Sequence, residues 1–309
     1  MKRLNFLISL TTDDNDYQQE QANAAEQAAQ RFGVDIKIIY AQNDSIIQSQ
    51  QLLNVIQSAG PHPDAIIFEP VGGTGLPQAG RAAGAAGIGW VVMNRDVDYI
   101  SDLRKSYKVP SFNITSDHEE VGRIQGRQLG ALLPQGGSVL QIQGPTESLA
   151  AKQRSAGMYE TKPADVQVKT MRAHWTEESS YKVVSSWLRL STSQEARIDV
   201  IAAQDDSMAI GARKAFQDHT TGAARDRWLS LPFLGCDGVP KTGQAWVQSG
   251  LLTGTVVIPA ITGKAIEMLV NTLRGGLVAP ERSLTVPTSF PAVEKLAASR
   301  KAKSHGTGK

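Results

Sequence analysis

Planar hydrogen-bonding side chains and aromatic rings recur in this 309-residue chain at one kind of position, just past short apolar runs. Asp13, Asp14, Asn15, Asp16 and Tyr17 follow the first run, Glu69 the third, and Asn94 with Arg95 the fourth. Further on come Arg154 (in the helix after Gly144-Pro145), His174, Trp175, Asp205 and Asp237. A sugar hydroxyl both donates and accepts, so carboxylates can accept from it, the arginine fork can donate in pairs, and asparagine does both. The apolar C–H face of the ring stacks on an aromatic side chain. The set therefore suits a polyhydroxylated ligand, although no residue in it is specific alone.

Each of these residues also has a plainer role open to it. Asn15 or Asp16 fits the N-cap of the first long helix. Trp175 fits a core position as well as a stacking one, and Arg154, in AAKQRSAG, fits a solvated helix start. Asp237 precedes Gly238, a pair that turns select for backbone reasons. Asp205, Asp206 and Ser207 are all good caps for the helix they introduce. The capping role goes to Asp206 or Ser207, which leaves Asp205 as the ligand candidate.

Enzyme signatures are weak beside this. The first strand–helix turn has no GxGxxG, and its aspartates would repel a pyrophosphate. The loop VGGTG (71–75) lacks the lysine of a phosphate loop, no serine sits in a GxSxG elbow, and no His, Cys and acid cluster has metal-ligand spacing. No catalytic residue, metal or cofactor is expected.

The elements that position these side chains follow from periodicity. In RIDVIAAQDDSMAIGARKAF (197–216), the run Ile198 to Ala203 is too short for a helix and reads as a strand buried on both faces. A helical period starts after the acids, at Met208, Ile210, Ala212, Ala215 and Phe216. The acids then lie at the carboxyl end of a strand, where open α/β sheets bind small molecules. Strands are expected at Leu4–Leu10, Asp35–Tyr40, Ala65–Phe68, Ile88–Met93, Ser138–Ile142, Val166–Ala173, Leu231–Cys236 and Thr253–Ile258, with Tyr107 to Ile114 extended. Helices lie between them, from Tyr17–Phe32 to a last one at Ala260–Arg274. Such alternation predicts parallel sheets with helices on both faces, in two similar doubly wound halves.

Composition sets the outer bounds. Hydrophobic residues make up 41% and charged residues 20%, as in an ordinary globular protein, and the length suits about two domains. The net charge of +2 is concentrated: Pro291 to Lys309 carries +4, so the body is near −2 and a poor match for nucleic acid. The single Cys236 excludes an internal disulfide, and in the apolar run PFLGC it reads as a buried, inert thiol. No run approaches the ~20 apolar residues of a membrane helix. MKRLNFLISLTT has the positive end of a secretory leader but a short apolar body and no small-residue cleavage site, so it reads as the first strand.

Several stretches together, AQDDSMAIGARKAF, LGCDGVP, the MNRD turn and QGPTESLAAKQRSAG, resemble the type I periplasmic binding proteins for sugars. The ribose- and xylose-type receptors of ABC transporters are the most similar, and the core of the lac-repressor class is akin to them. The likeness runs from Leu4 to about Val286. It implies two lobes joined by a three-segment hinge with the ligand cleft between them. The N-terminal lobe is expected at 1–115 plus 258–284 and the C-terminal lobe at 116–257 plus 285–292, followed by a basic, frayed tail at 293–309. The ligand residues implied are Asn15, Tyr17, Asn94, Arg95, Arg154, Trp175, Asp205 and Asp237. Two departures stand out: Gln18 replaces a second aromatic, and Val257 and Ile258 occupy the place of the ribose receptors' hinge glutamine. The expected function is capture of a sugar or polyol by hinge closure and delivery to an ABC transporter permease, by a monomer working in the periplasm. A cytoplasmic location is the alternative for a chain with no recognisable leader. A sugar-sensing regulatory or signalling domain of the same fold, or an α/β enzyme acting on a sugar, are the other readings.

Overall fold

The computed structural model describes residues 3–72, 75–194 and 196–298. The chain forms two compact units, one of Met1–Ser116 with Pro259–Thr285 and one of Asp117–Ile258 with Val286–Lys309, so it passes between them three times.

Unit 1 holds β1 (Asn5–Leu10), α1 (Asp16–Phe32), β2 (Asp35–Tyr40), α2 (Ser45–Ile56), β3 (Ala65–Phe68), α3 (Pro77–Ala85), β4 (Gly89–Met93), α4 (Ile100–Ser106) and β5 (Ser111–Ser116). Unit 2 begins with α5 (His118–Leu132), β6 (Gly137–Gln143), α6 (Leu149–Thr161), β7 (Val166–Arg172), α7 (Glu177–Leu188) and α8 (Ser191–Gln194). It continues through β8 (Val200–Ala203), α9 (Asp206–His219), α10 (Gly222–Ser230), β9 (Phe233–Asp237), α11 (Ala245–Gln248) and β10 (Gly254–Val257). Unit 1 then regains α12 (Thr262–Gly275) and β11 (Arg282–Thr285), and β12 (Thr288–Phe290) closes unit 2.

The sheet orders are β11-β5-β4-β3-β1-β2 and β12-β10-β9-β8-β6-β7. Both are doubly wound, as the alternation predicts, and each changes direction beside its first strand, β1 or β6. All pairings are parallel except that of β12, which runs antiparallel to β10 at the edge. The central strands β3, β4, β5, β8 and β9 are buried on both faces because their side chains alternate between two cores. In β1, Phe6, Ile8 and Leu10 meet α1 and α12, whereas Leu7 faces Leu52, Phe68 and Trp90. In unit 2, Leu140, Ile142 and Ile201 pack with Phe216 and Trp228, while Val139, Val200 and Leu234 face the other side.

Local signals explain the helices that bring side chains to the strand ends. Ala22, Ala25, Ala28 and Ala29 give α1 its buried stripe, Asn15 caps it, and Gly33 ends it in the left-handed conformation. Ser148 caps α6 and Thr176 caps α7. The stretch Tyr107–Ile114, expected to be extended, leads into β5, and α4, α10, β11 and β12 are additional to the predicted elements. Pro240–Gln244 forms a π-type turn before α11, where one regular helix was expected. Residues 293–298 are helical and Leu296 is buried, so the expected frayed tail does not begin at 293. The rest of that tail, 299–309, lies outside the described residues, as do two residues of the VGGTG loop.

Candidate functional site

The carboxyl ends of the unit 1 strands carry a polar network built around Glu69. Asn15 accepts the Gln18 N–H at 3.2 Å, so it is the N-cap of α1, and Tyr17 sits half-buried in the first turn. Gln18 itself is buried. Its carbonyl accepts the Thr11 N–H at 3.1 Å, and its amide donates to Glu69 Oε2 at 2.9 Å. The other oxygen, Oε1, accepts from Asn94 Nδ2 at 3.0 Å. Glu69 is therefore clamped between two neutral amides, one from α1 and one from the end of β4. Arg95 is next to this clamp, where burial pulls its guanidinium down from its ordinary value and Glu69 opposes that shift. Beyond it, Arg282 pairs with Asp96 through two bonds of 2.7 and 2.9 Å.

Unit 2 gathers four of the predicted residues. Arg154, expected to be open to solvation, is only 6% exposed. Its Nη1 donates to the Gln204 carbonyl, its Nε reaches His118 Nδ1 at 3.5 Å, and its Nη2 lies 3.6 Å from Asp237 Oδ1. The guanidinium also stands over the Trp175 ring, 5.5 Å from its centroid. Trp175 is half-buried and packs against the unit 2 core. A Cβ on Gly144 would come within 2.2 Å of that ring, so glycine is what lets the indole lie on the backbone there. Gln204 ties the edge together: it accepts the Gly144 N–H at 3.1 Å and donates to the Ala151 carbonyl and Ser155 Oγ at 3.1 and 2.9 Å.

The three acids of this edge divide their roles differently from expectation. Asp205 is the cap of α9: its backbone is extended and Oδ1 accepts the Met208 N–H at 2.9 Å. Asp206, expected to cap, instead faces the interior, where it accepts from Gly238 N at 2.7 Å and Thr255 Oγ1 at 2.6 Å. Its carboxylate lies so close to Gly235 and Gly243 that a Cβ on either would fall about 2 Å from an oxygen. Burial pushes the Asp206 carboxyl well up, with Asp237 adding to it and the two donors and Arg154 opposing. Burial also pushes Asp205 well up, reinforced by the neighbouring Asp237 carboxyl. Cys236, beneath them, is fully buried, and burial raises its thiol far from reactivity. His174 is exposed.

Three predicted site residues, Asn94, Trp175 and Asp237, have positive φ angles of 55°, 59° and 100°. For a side chain as large as tryptophan this backbone costs about 1–2 kcal/mol, and such outliers gather where function rather than stability fixes the geometry. Asn94 and Arg95 thus share one polar edge with Asn15, and Arg154, Trp175, Asp205 and Asp237 share another. The sequence reading left out Gln18, Glu69, His118 and Gln204. Glu69 was visible as a strand-end acid and Gln18 as the departure from an aromatic, but nothing local marks His118 or Gln204.

A family model described as "Periplasmic binding protein domain" matches residues 6–277. A putative rhizopine-binding protein of Rhizobium meliloti is 30% identical over 192 residues, covering 60% of this chain and 58% of that protein. The ribose import binding protein RbsB of Bacillus subtilis is 24% identical over 289 residues, 93% of this chain and 86% of that one. Among solved structures, a periplasmic solute binding protein of an Actinobacillus succinogenes ABC transporter, with bound D-allose, superposes with a TM-score of 0.79. It is 21% identical, over 95% of this chain and 99% of that one, a likeness of fold.

Proposed function

The chain belongs to the periplasmic binding protein domain family, and from that premise we propose that it captures a sugar or polyol by hinge closure and delivers it to an ABC transporter permease. Its membership makes it a binding protein and not an enzyme. In this reading it works in the periplasm as a monomer, with a small solute and a membrane permease as partners, no nucleic acid and no cofactor.

The observation that carries the reading is the unit 2 edge, where a buried arginine, buried carboxyls and an aromatic ring meet at the carboxyl ends of parallel strands. Unit 1 contributes Asn15, Tyr17, Asn94 and Arg95, and unit 2 contributes Arg154, Trp175, Asp205 and Asp237. A solute that touches both sets stabilises the closed state by contacts the open state lacks. Closure also excludes water, which strengthens each hydrogen bond to the hydroxyls. Burying an arginine and several carboxylates costs folding free energy, and a solute that completes their hydrogen bonding offsets that cost on binding.

Thermal-shift and calorimetric titration against pentoses, hexoses and polyols test the ligand class. A solute at 100 times its dissociation constant adds about 2.7 kcal/mol of stability. Small-angle scattering of the same complexes tests the motion, and a bound solute that leaves the radius of gyration unchanged refutes hinge closure. Asp237→Asn should weaken binding by about 1–3 kcal/mol, because one acceptor oxygen becomes a donor.

A further inference from the structure

Asp237 holds a backbone conformation that most residues avoid. Its φ is 100°, and Gly238 follows at 59°. Glycine takes such angles freely, whereas an aspartate does so only where its surroundings over-determine it. Those surroundings are specific here. The peptide group between Asp237 and Gly238 is bonded on both sides: its C=O accepts the Ile258 N–H at 2.9 Å, and its N–H donates to Asp206 Oδ2 at 2.7 Å. The next carbonyl, that of Gly238, accepts from Gln244 Nε2 at 2.8 Å. A Cβ on Gly238 would fall 2.6 Å from Val257 Cα, so only glycine lets the bend lie on β10.

Gln244 reaches Gly238 from the π-type turn Pro240–Gln244. Its own N–H bonds to the Val239 carbonyl at 3.1 Å, five residues back instead of the four of an α-helix. The wider turn rests on the bend it faces: a Cβ on Gly243 would fall 2.0 Å from Asp206 Oδ2 and 3.0 Å from Gly238 Cα. Isolated π-type turns recur at functional sites, where the extra residue re-aims a side chain. In this chain the re-aimed side chain is Gln244. It is half-buried, so it can be changed without emptying a core position. Asp206, on the other side of Gly238, is also tied to Thr255 and belongs to the interior.

Resting on the reading of Asp237 as a solute contact, we propose that Gln244 is a positioning residue for the solute. It acts through Asp237: its amide holds the Gly238 carbonyl, and with Asp206 it keeps the strained bend in which the Asp237 carboxylate stands 3.6 Å from Arg154 Nη2. The π-type turn is then a device that sets one acceptor of the site.

The test combines backbone NMR of the unliganded full chain with calorimetric titration of D-ribose, D-allose and myo-inositol. Gln244→Met keeps the length of the side chain and removes its donor. It should move the 13Cα and 13Cβ shifts of Asp237, which report backbone angles, and speed amide exchange of Gly238 about tenfold. It should weaken each solute that binds about 3- to 10-fold, the loss of one hydrogen bond. In an Asp237→Asn background the same substitution should change affinity by no more than about twofold, because the carboxylate it acts through is gone. A purely structural role would give the full loss in both backgrounds, and that result overturns the proposal. Asp237 shifts and Gly238 exchange at wild-type values overturn it too, and they decide the matter alone if none of the three solutes binds. Unchanged affinity in Gln244→Met, where Asp237→Asn weakens binding, also overturns it and leaves the reading of Asp237 standing. If Asp237→Asn itself leaves affinity unchanged, the reading of Asp237 as a solute contact falls, and the proposal with it.

Discussion

Asp206→Ala should be among the most damaging single substitutions at this edge, although a ligand reading of the DD pair would treat the two acids alike. Asp206 accepts two buried donors, Gly238 N–H at 2.7 Å and Thr255 Oγ1–H at 2.6 Å. Truncation strands both, at about 1–3 kcal/mol each, so the expected loss is roughly 2–6 kcal/mol. The relief of a buried charge opposes this, which favours the lower half of the range. Asp206→Asn can keep its oxygen on Gly238 and turn its NH2 toward Thr255 Oγ1, which then accepts, so it should cost only about 1 kcal/mol. Asp205→Ala removes a helix cap and should cost about 0.5–2 kcal/mol while relieving repulsion with Asp237. Urea unfolding followed by tryptophan fluorescence suits the comparison, because Trp187 and Trp228 pack in the same unit 2 core. An Asp206→Ala protein within about 0.5 kcal/mol of wild type, or less affected than Asp205→Ala, would refute the division of roles.

The pH dependence of the unliganded protein follows from the raised Asp205 carboxyl. Its native value lies above the 3.8 of the free group, so the folded state holds the extra proton, and stability is full below that value and falls as pH rises through the native one; Asp205→Asn should flatten this slope in urea midpoints measured from pH 4 upward. Gly144→Ala forces the Trp175 ring off the backbone it rests on and should shift Trp175 fluorescence and weaken solute binding by more than tenfold, with Trp175→Ala as the comparison; unchanged emission and affinity would show that the ring was never held there. Glu69→Gln puts an NH2 group against the Gln18 or Asn94 amide donor and should weaken binding, and adding Gln18→Glu should restore it by exchanging acid and amide across the same 2.9 Å contact; failure of that rescue in calorimetry would count against the clamp.

Most of the architecture was legible because both-face burial writes itself as short β-branched runs between helical periods. The elements that escaped are short or sparsely apolar. In α4, only Ile100 and Leu103 are buried and no side chain caps the start. Strand β12 has three residues and joins its sheet antiparallel, against the rule that governs the rest. The site was legible as a list of strand-end residues but not as a set of contacts. Asp205 and Asp206 are equally good caps by type, and what separates them is distant: Gly238 and Thr255 lie 32 and 49 residues further on. Arg154 reads locally as a solvated arginine because its partners come from distant parts of the chain: His118 from α5, Gln204 from the loop after β8 and Asp237 from the end of β9.

The two units repeat one strand order yet build their strand-end polar networks by different means, and the difference bears on what each contributes to recognition. In unit 1 the carboxylate is held by neutral amides: Gln18, in place of an aromatic, spends its side chain fixing Glu69, and Glu69 in turn fixes the Asn94 amide. An amide whose NH2 is committed to Glu69 presents its carbonyl as the acceptor, which sets the polarity of this edge. In unit 2 Arg154 meets Asp237 directly at 3.6 Å, and burial beside that same carboxyl pushes Asp205 well up. An amide-clamped edge suits the reading of hydroxyl geometry, and an arginine beside a carboxylate adds charge-assisted donors and acceptors.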